Sequence, residues 1–237
     1  MQDDQMTMEF AWIPPGTLAN GNDVLNIGPG FYMGIYPVTQ CQFEAVMGFN
    51  PSHFSGQRDF PVEMVNWFDT QDFCVKLTDL TQKPIRLPTE AEWRYACRAG
   101  DMDFHSGNGP GALQQIGWYN GADYCYRTQK VGRLLPNPFG LYDMHGNVLE
   151  WCADWAALGK YCIRGQKTLQ QQQQQQQQQP LKSSIGNVLS GRETERVVCG
   201  GAWNYVPDGC TAQYRNSDVP VSRCNNCGFR VCFTPGA

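Results

Sequence analysis

The sequence predicts one loop-rich α+β domain, and three observations carry that expectation. Of 237 residues, 41% are hydrophobic and 12% aromatic, enough to close a real core. The chain holds 25 glycines and 15 prolines against 17% charged residues, a mixture that favours turns over long regular elements. Helix start signals are few, and short apolar runs separate them.

Phe10-Ala11-Trp12-Ile13 reads as a short strand ended by the Pro14-Pro15-Gly16 turn, and Gly30 to Pro37 as a second strand. A first helix is expected after the cap Thr39, with Phe43, Val46 and Met47 on one face and an end near Gly48. A second starts near Asn66 and is expected to bury Phe73, Cys74, Leu77 and Leu80. The third has the clearest start: Thr89 at the N-cap and Glu92 three residues on form a capping box, and Gly100 marks its end. From Asn137 onward the pattern is loop and short strand. The uninterrupted run Gln170 to Gln179, closed by Pro180, cannot pack a core and predicts a flexible inserted loop over 165–195 within one domain spanning 1–237.

The net charge is -4 and no Lys/Arg block occurs, which excludes the clustered positive charge that nucleic-acid binding needs. The acidic start MQDDQMTMEF carries no secretory pattern, and no apolar stretch reaches the roughly 18–20 residues of a membrane span. As written the chain is expected in the cytoplasm; display on a surface or virion would need another route. There are eleven cysteines. Cys41, Cys74, Cys97, Cys125, Cys152 and Cys162 are scattered and read mostly as small buried hydrophobes. Cys199, Cys210, Cys224, Cys227 and Cys232 crowd the end, and Cys224-x-x-Cys227 alone is only half of a zinc site.

Three segments taken together are specific: Arg86-Leu87-Pro88-Thr89-Glu90-Ala91-Glu92-Trp93-Arg94-Tyr95-Ala96; Asn137 to Trp151, which reads NPFGLYDMHGNVLEW; and Gly200-Gly201-Ala202-Trp203 with Cys227-Gly228-Phe229-Arg230-Val231. From about Phe10 to Cys232 the chain resembles the formylglycine-generating enzyme (sulfatase-modifying factor) family, a version of the C-type lectin fold. The resemblance implies structural calcium in the loop Asp143 to Glu150, held by the carboxylates of Asp143 and Glu150 and the carbonyls of Gly146 and Val148. The competing role for the two carboxylates is to cap turns and pair with arginines.

Oxidase members of that family hold copper(I) between two cysteines. The resemblance puts Cys210 at the second position but Tyr205 at the first, and a phenol does not replace a thiolate there. No copper and no oxidase activity are therefore expected. Nor do His53, His105 and His145 form the close pair that the iron-dependent branch of the family needs.

The C-terminal segment, 196–233, interleaves family framework with departures from it. The departures are Cys199, Ala202, Tyr205, Val206, Asp208, Cys210, Thr211, Tyr214, Ser217, Asp218, Val221, Ser222, Cys224, Cys227 and Cys232. This pattern resembles the variable region of a diversity-generating retroelement protein, in which template adenines are randomised, commonly in asparagine codons. All fifteen residues are reachable from such a codon, and Asn204, Asn216, Asn225 and Asn226 are what an unedited codon would leave. The resemblance implies a monomeric ligand-binding protein whose fifteen varied side chains meet a protein or cell-surface ligand. Tyr205, Tyr214, Asp218 and Cys224 are expected to be exposed, above a framework that includes Arg230 and Trp203. The alternative is a formylglycine-generating oxidase or its inactive paralogue.

Overall fold

A computed structural model describes residues 7–20, 23–100, 113–121, 126–156 and 194–236. Most of the expected insertion, together with His105, Cys125 and Cys162, lies outside the described residues.

Three helices stand where the sequence signals them. They are α1 (Gln40–Met47), α2 (Trp67–Thr81) and α3 (Glu90–Arg98). Each opens on a complete capping box, Thr39 with Gln42, Asn66 with Asp69, and Thr89 with Glu92, in which two otherwise orphaned N–H groups are satisfied. Gly48 closes α1 in the left-handed conformation, whereas α3 ends one residue before Gly100, on Ala99 at φ 49°. Phe73, Cys74 and Leu77 of α2 are buried as expected. Leu80 is not: it is 67% exposed. It shares their stripe but stands in the last turn, where the core beneath the helix has run out.

The strands are short. In chain order they are β1 (Phe10–Ile13), β2 (Thr17–Asn20), β3 (Asp23–Asn26), β4 (Phe31–Gly34), β5 (Gly117–Trp118), β6 (His145–Gly146), β7 (Leu149–Trp155), β8 (Arg196–Cys199), β9 (Arg215–Asp218), β10 (Cys227–Phe229) and β11 (Cys232–Phe233). β1 and β11 both pair antiparallel with β4, so the two ends of the described chain meet in one sheet. A second sheet has the order β10-β7-β8-β9, with β10 parallel to β7 and the other pairs antiparallel. Its outer strand β9 and the loops around it carry most of the C-terminal departures.

Two apolar clusters lie between these sheets and the helices. Phe43 of α1 stacks on Phe73 of α2 at 5.7 Å, and Phe229 of β10 meets both rings edge-on. The other cluster gathers Ile13, Phe31, Met33, Trp93, Cys152 and Cys199. Between them sits a buried ion pair. Arg230 is 0% exposed and Glu150 1%, and the guanidinium donates to both Glu150 oxygens, at 2.8 and 3.0 Å. Its remaining N–H groups reach the carbonyls of Gly34, Ile35 and Tyr142 at 2.8–2.9 Å. All five donors of the fork are thereby used. Trp93 adds a bond from Nε1 to Glu150 Oε2 at 2.6 Å, so one site ties β4, β7 and α3 to the residue that follows β10.

Candidate ligand-binding face

The loops of the C-terminal segment are held by main-chain bonds at intervals as well as by side chains. After β8 the chain turns through Gly200 and Gly201, at φ 96° and 72°. A Cβ on Gly201 would run into the Gly209 carbonyl, so the loop 202–210 closes onto a residue that has to be glycine. Main-chain bonds from the body then clip the loops at intervals. Gly146 N donates to Gly200 O, Trp203 N to Asn147 O, and Asn120 N to Tyr205 O, at 2.6, 3.1 and 2.8 Å. Further along, Trp67 N donates to Pro220 O, Met64 N to Cys224 O and Leu149 N to Asn226 O, at 3.0, 3.0 and 2.8 Å. None of these bonds depends on which side chain the loop residue carries.

On the outside, Tyr205 and Tyr214 meet edge to face at 5.8 Å, and the Tyr205 hydroxyl accepts from Asn216 Nδ2 at 3.2 Å. Burial, then the neighbouring Tyr214, raises the Tyr205 phenol above its ordinary pKa. Cys224 Sγ lies 3.5 Å from Ser222 Oγ and 3.9 Å from Asp218 Oδ2. Val206 and Val221 are 59% and 67% exposed, and Asp208 is exposed as well. Thr211 accepts from Tyr214 N through its hydroxyl, and Ser217 donates to Glu195 at 2.6 Å. The arginines beside these residues are engaged: Arg215 with Glu90 at 2.9 Å, and Arg223 with Asp69.

Ten of the fifteen departures therefore reach the surface in whole or part: Tyr205, Val206, Asp208, Thr211, Tyr214, Ser217, Asp218, Val221, Ser222 and Cys224. The other five do not. Cys199, Ala202, Cys210, Cys227 and Cys232 are buried, and as core side chains they cannot touch a ligand. Cys199, Cys227 and Cys232 lie on β8, β10 and β11 with their side chains enclosed, while Ala202 and Cys210 pack beneath the loop. Tyr205, Tyr214, Asp218 and Cys224, expected to stand exposed, are half-buried, because Tyr205 and Cys224 also rest on the Phe43–Phe229 cluster. Trp203 is half-buried too; it donates to Asn225 O at 3.3 Å and meets Phe54 edge-on at 5.6 Å. Phe54 and the exposed Val219 escape the sequence reading. Phe54 arrives from a loop some 150 residues upstream, which leaves no local signal.

Both carboxylates to which the resemblance assigns calcium have protein partners. Glu150 already balances its charge against Arg230 and shares an oxygen with Trp93. Asp143 is the remaining carboxylate: it accepts from Gly132 N at 2.8 Å and Asn147 Nδ2 at 3.4 Å, and burial pushes its pKa up to about 6. The resemblance assigns calcium the carbonyls of Gly146 and Val148 beside these carboxylates, and with Arg230 against Glu150 the set keeps one net negative charge. Among the described residues no group of three or more His, Cys, Asp or Glu gathers as a metal site. If the loop holds calcium, excess chelator should lower the melting temperature of protein that starts metal-loaded, and an unchanged melting curve would count against the ion.

The redox candidates are separated. Cys210 is buried, with its thiol toward the Ala202 carbonyl at 3.8 Å, and Cys199 lies 3.8 Å from Cys152. His145 is buried between the Cys210 carbonyl at 2.8 Å and the Cys97 thiol at 3.5 Å, a structural position. His53 packs on Phe54.

A sparse α+β body that joins its two ends in one sheet and clips long loops over another is a C-type lectin-like domain. The profile of the Sulfatase-modifying factor enzyme 1-like domain matches residues 1–234, and the chain belongs to that family. Among solved structures it is similar to Treponema denticola variable protein 1, with TM-score 0.76 and 27% identity over 96% of this chain and 95% of that one. PvdO from Pseudomonas aeruginosa shares the fold at TM-score 0.72 and 22% identity, covering 95% of this chain and 94% of that one. The formylglycine-generating enzyme of Thermomonospora curvata is 34% identical over 78% of this chain and 59% of its own length. The chaperone protein LppX of Paenibacillus barcinonensis is 32% identical over 53% of this chain and 62% of its own. The chain thus spans less than two thirds of each of these two curated relatives. No helix among the described residues is long and apolar enough to cross a membrane.

Proposed function

We propose that this chain is the ligand-binding protein of a diversity-generating retroelement and that it acts without catalysis. The observation that carries the reading is the separation of backbone from side chain on the C-terminal face. Main-chain N–H and C=O clips fix these loops at several points whatever side chains stand between them, which is what a repeatedly rewritten surface requires. Likeness to a variable protein of Treponema denticola supports the same reading. Tyr205 and Tyr214 offer rigid amphipathic contacts at low entropic cost, with Ser222, Asp208 and Asp218 as polar contacts around them. Such a surface suits a protein or a cell-surface ligand.

The reading is tested in the coding DNA. A near-repeat of the segment for 196–233, differing from it only at adenines and lying beside a reverse transcriptase gene, is the expected finding. Its absence would leave an inactive family paralogue.

The oxidase alternative has a direct assay. With Tyr205 packed against Tyr214 where the resemblance puts the first copper ligand, the protein with copper(I) and a cysteine-containing sulfatase peptide is expected to yield no formylglycine. Turnover abolished by Cys210→Ser would overturn the binding reading.

A further inference from the structure

Cys152 and Cys199 face each other inside the core with no exposure, their sulfurs 3.8 Å apart. They stand on the adjacent antiparallel strands β7 and β8, whose pairing is irregular between Trp151 and Trp155. At one end Glu150 pairs with Cys199 and Trp151 with Val198; beyond the irregularity Trp155 pairs with Arg196. Cys152 stands at the start of the irregularity, two residues along β7 from the partner of Cys199 and so diagonal to it. The chain that leaves β7 and returns at β8 contains the whole glutamine run, so these two thiols mark the base of the excursion.

We infer that Cys152 and Cys199 form a structural disulfide that closes the base of the excursion 153–198 and ties the ligand-binding segment covalently to the body. The bond forms by thiol–disulfide exchange with a small disulfide oxidant such as glutathione disulfide. One thiolate attacks the oxidant, releasing one glutathione and leaving a mixed disulfide. The second cysteine, having lost its proton, displaces the other glutathione. The two thiol protons and the two electrons end on the pair of reduced glutathiones. The enclosure of both sulfurs sets when this happens. Burial pushes the Cys152 thiol well above its ordinary range, so the folded, reduced chain is inert and exchange belongs to folding, before β7 and β8 close. The bond needs oxidising surroundings, which the chain would meet on a surface and not in the cytoplasm. A cut anywhere in the excursion would then leave the residues from β8 onward attached.

The test refolds the full chain in a reduced/oxidised glutathione buffer and maps its peptides by mass spectrometry without reductant. The expected product is one cross-linked species joining the Cys152 and Cys199 peptides. The oxidised chain should melt about 10 °C above the reduced one, because the closed loop is long. Trypsin acting at the Lys and Arg residues between 157 and 193 should give fragments that travel together until reductant is added. A Cys152→Ala/Cys199→Ala variant should lose both the gain and the covalent tie. Finding both thiols free after oxidative refolding would overturn the proposal, as would a bond from either of them to Cys97.

Discussion

Arg230→Met is expected to be among the most damaging single changes in the chain, costing about 3–5 kcal/mol. It strips Glu150 of its counter-ion inside the core and orphans the carbonyls of Gly34, Ile35 and Tyr142. Against a typical total stability of about 5–15 kcal/mol, that loss is a large fraction. At about 2–4 °C per kcal/mol for a chain of this size, the melting temperature should fall by roughly 6–20 °C. Adding Glu150→Gln to Arg230→Met should cost less than the two single changes summed, since the second removes the charge that the first leaves unpaired. Denaturant unfolding of the four proteins checks this. Additive effects would show that the pair does not act as a unit.

The second large effect separates buried from displayed positions within the C-terminal segment. Cys199→Tyr and Ala202→Tyr each force a phenol ring into a fully enclosed site, and should cost more than the ~1–3 kcal/mol of ordinary overpacking. Soluble yield and cooperative unfolding should both be lost. Val206→Tyr and Val221→Tyr make a comparable enlargement in the open and should stay within about ±0.5 kcal/mol. Equal tolerance at all four positions would mean that Cys199 and Ala202 are not core.

These two predictions mark where the sequence was legible and where it was not. Helix starts were legible because a capping box is local: the residues that satisfy the first N–H groups lie within three positions of one another, as with Thr89 and Glu92. Framework segments such as Gly228-Phe229-Arg230-Val231 were legible as a family pattern. The partner of Arg230 was not. Glu150 is 80 residues away, and nothing local to either residue points at the other. Pairing with an arginine was one of the two roles the sequence left open for its carboxylate, but which arginine was not written there. Depth was also hidden. Whether a residue is reachable from a randomised codon says nothing about which way its side chain points. Cysteine and alanine are small enough to be core residues, and five of the fifteen departures turned out to lie inside. Leu80 failed for a related reason: periodicity gives the face of a helix but not where the core beneath it ends.

The central claim is that this scaffold holds its binding loops independently of the side chains they carry. Two libraries test it most directly. In one, the codons for Val206, Asp208, Tyr214, Asp218, Val221 and Ser222 are randomised together; in the other, those for Cys199, Ala202, Cys210, Cys227 and Cys232. Each is scored for soluble protein that unfolds cooperatively. Most members of the first library should fold, and selection against different protein targets should enrich different members. Most members of the second should fail. If the first library fails as often as the second, the exposed side chains are holding the loops, and the display account is contradicted.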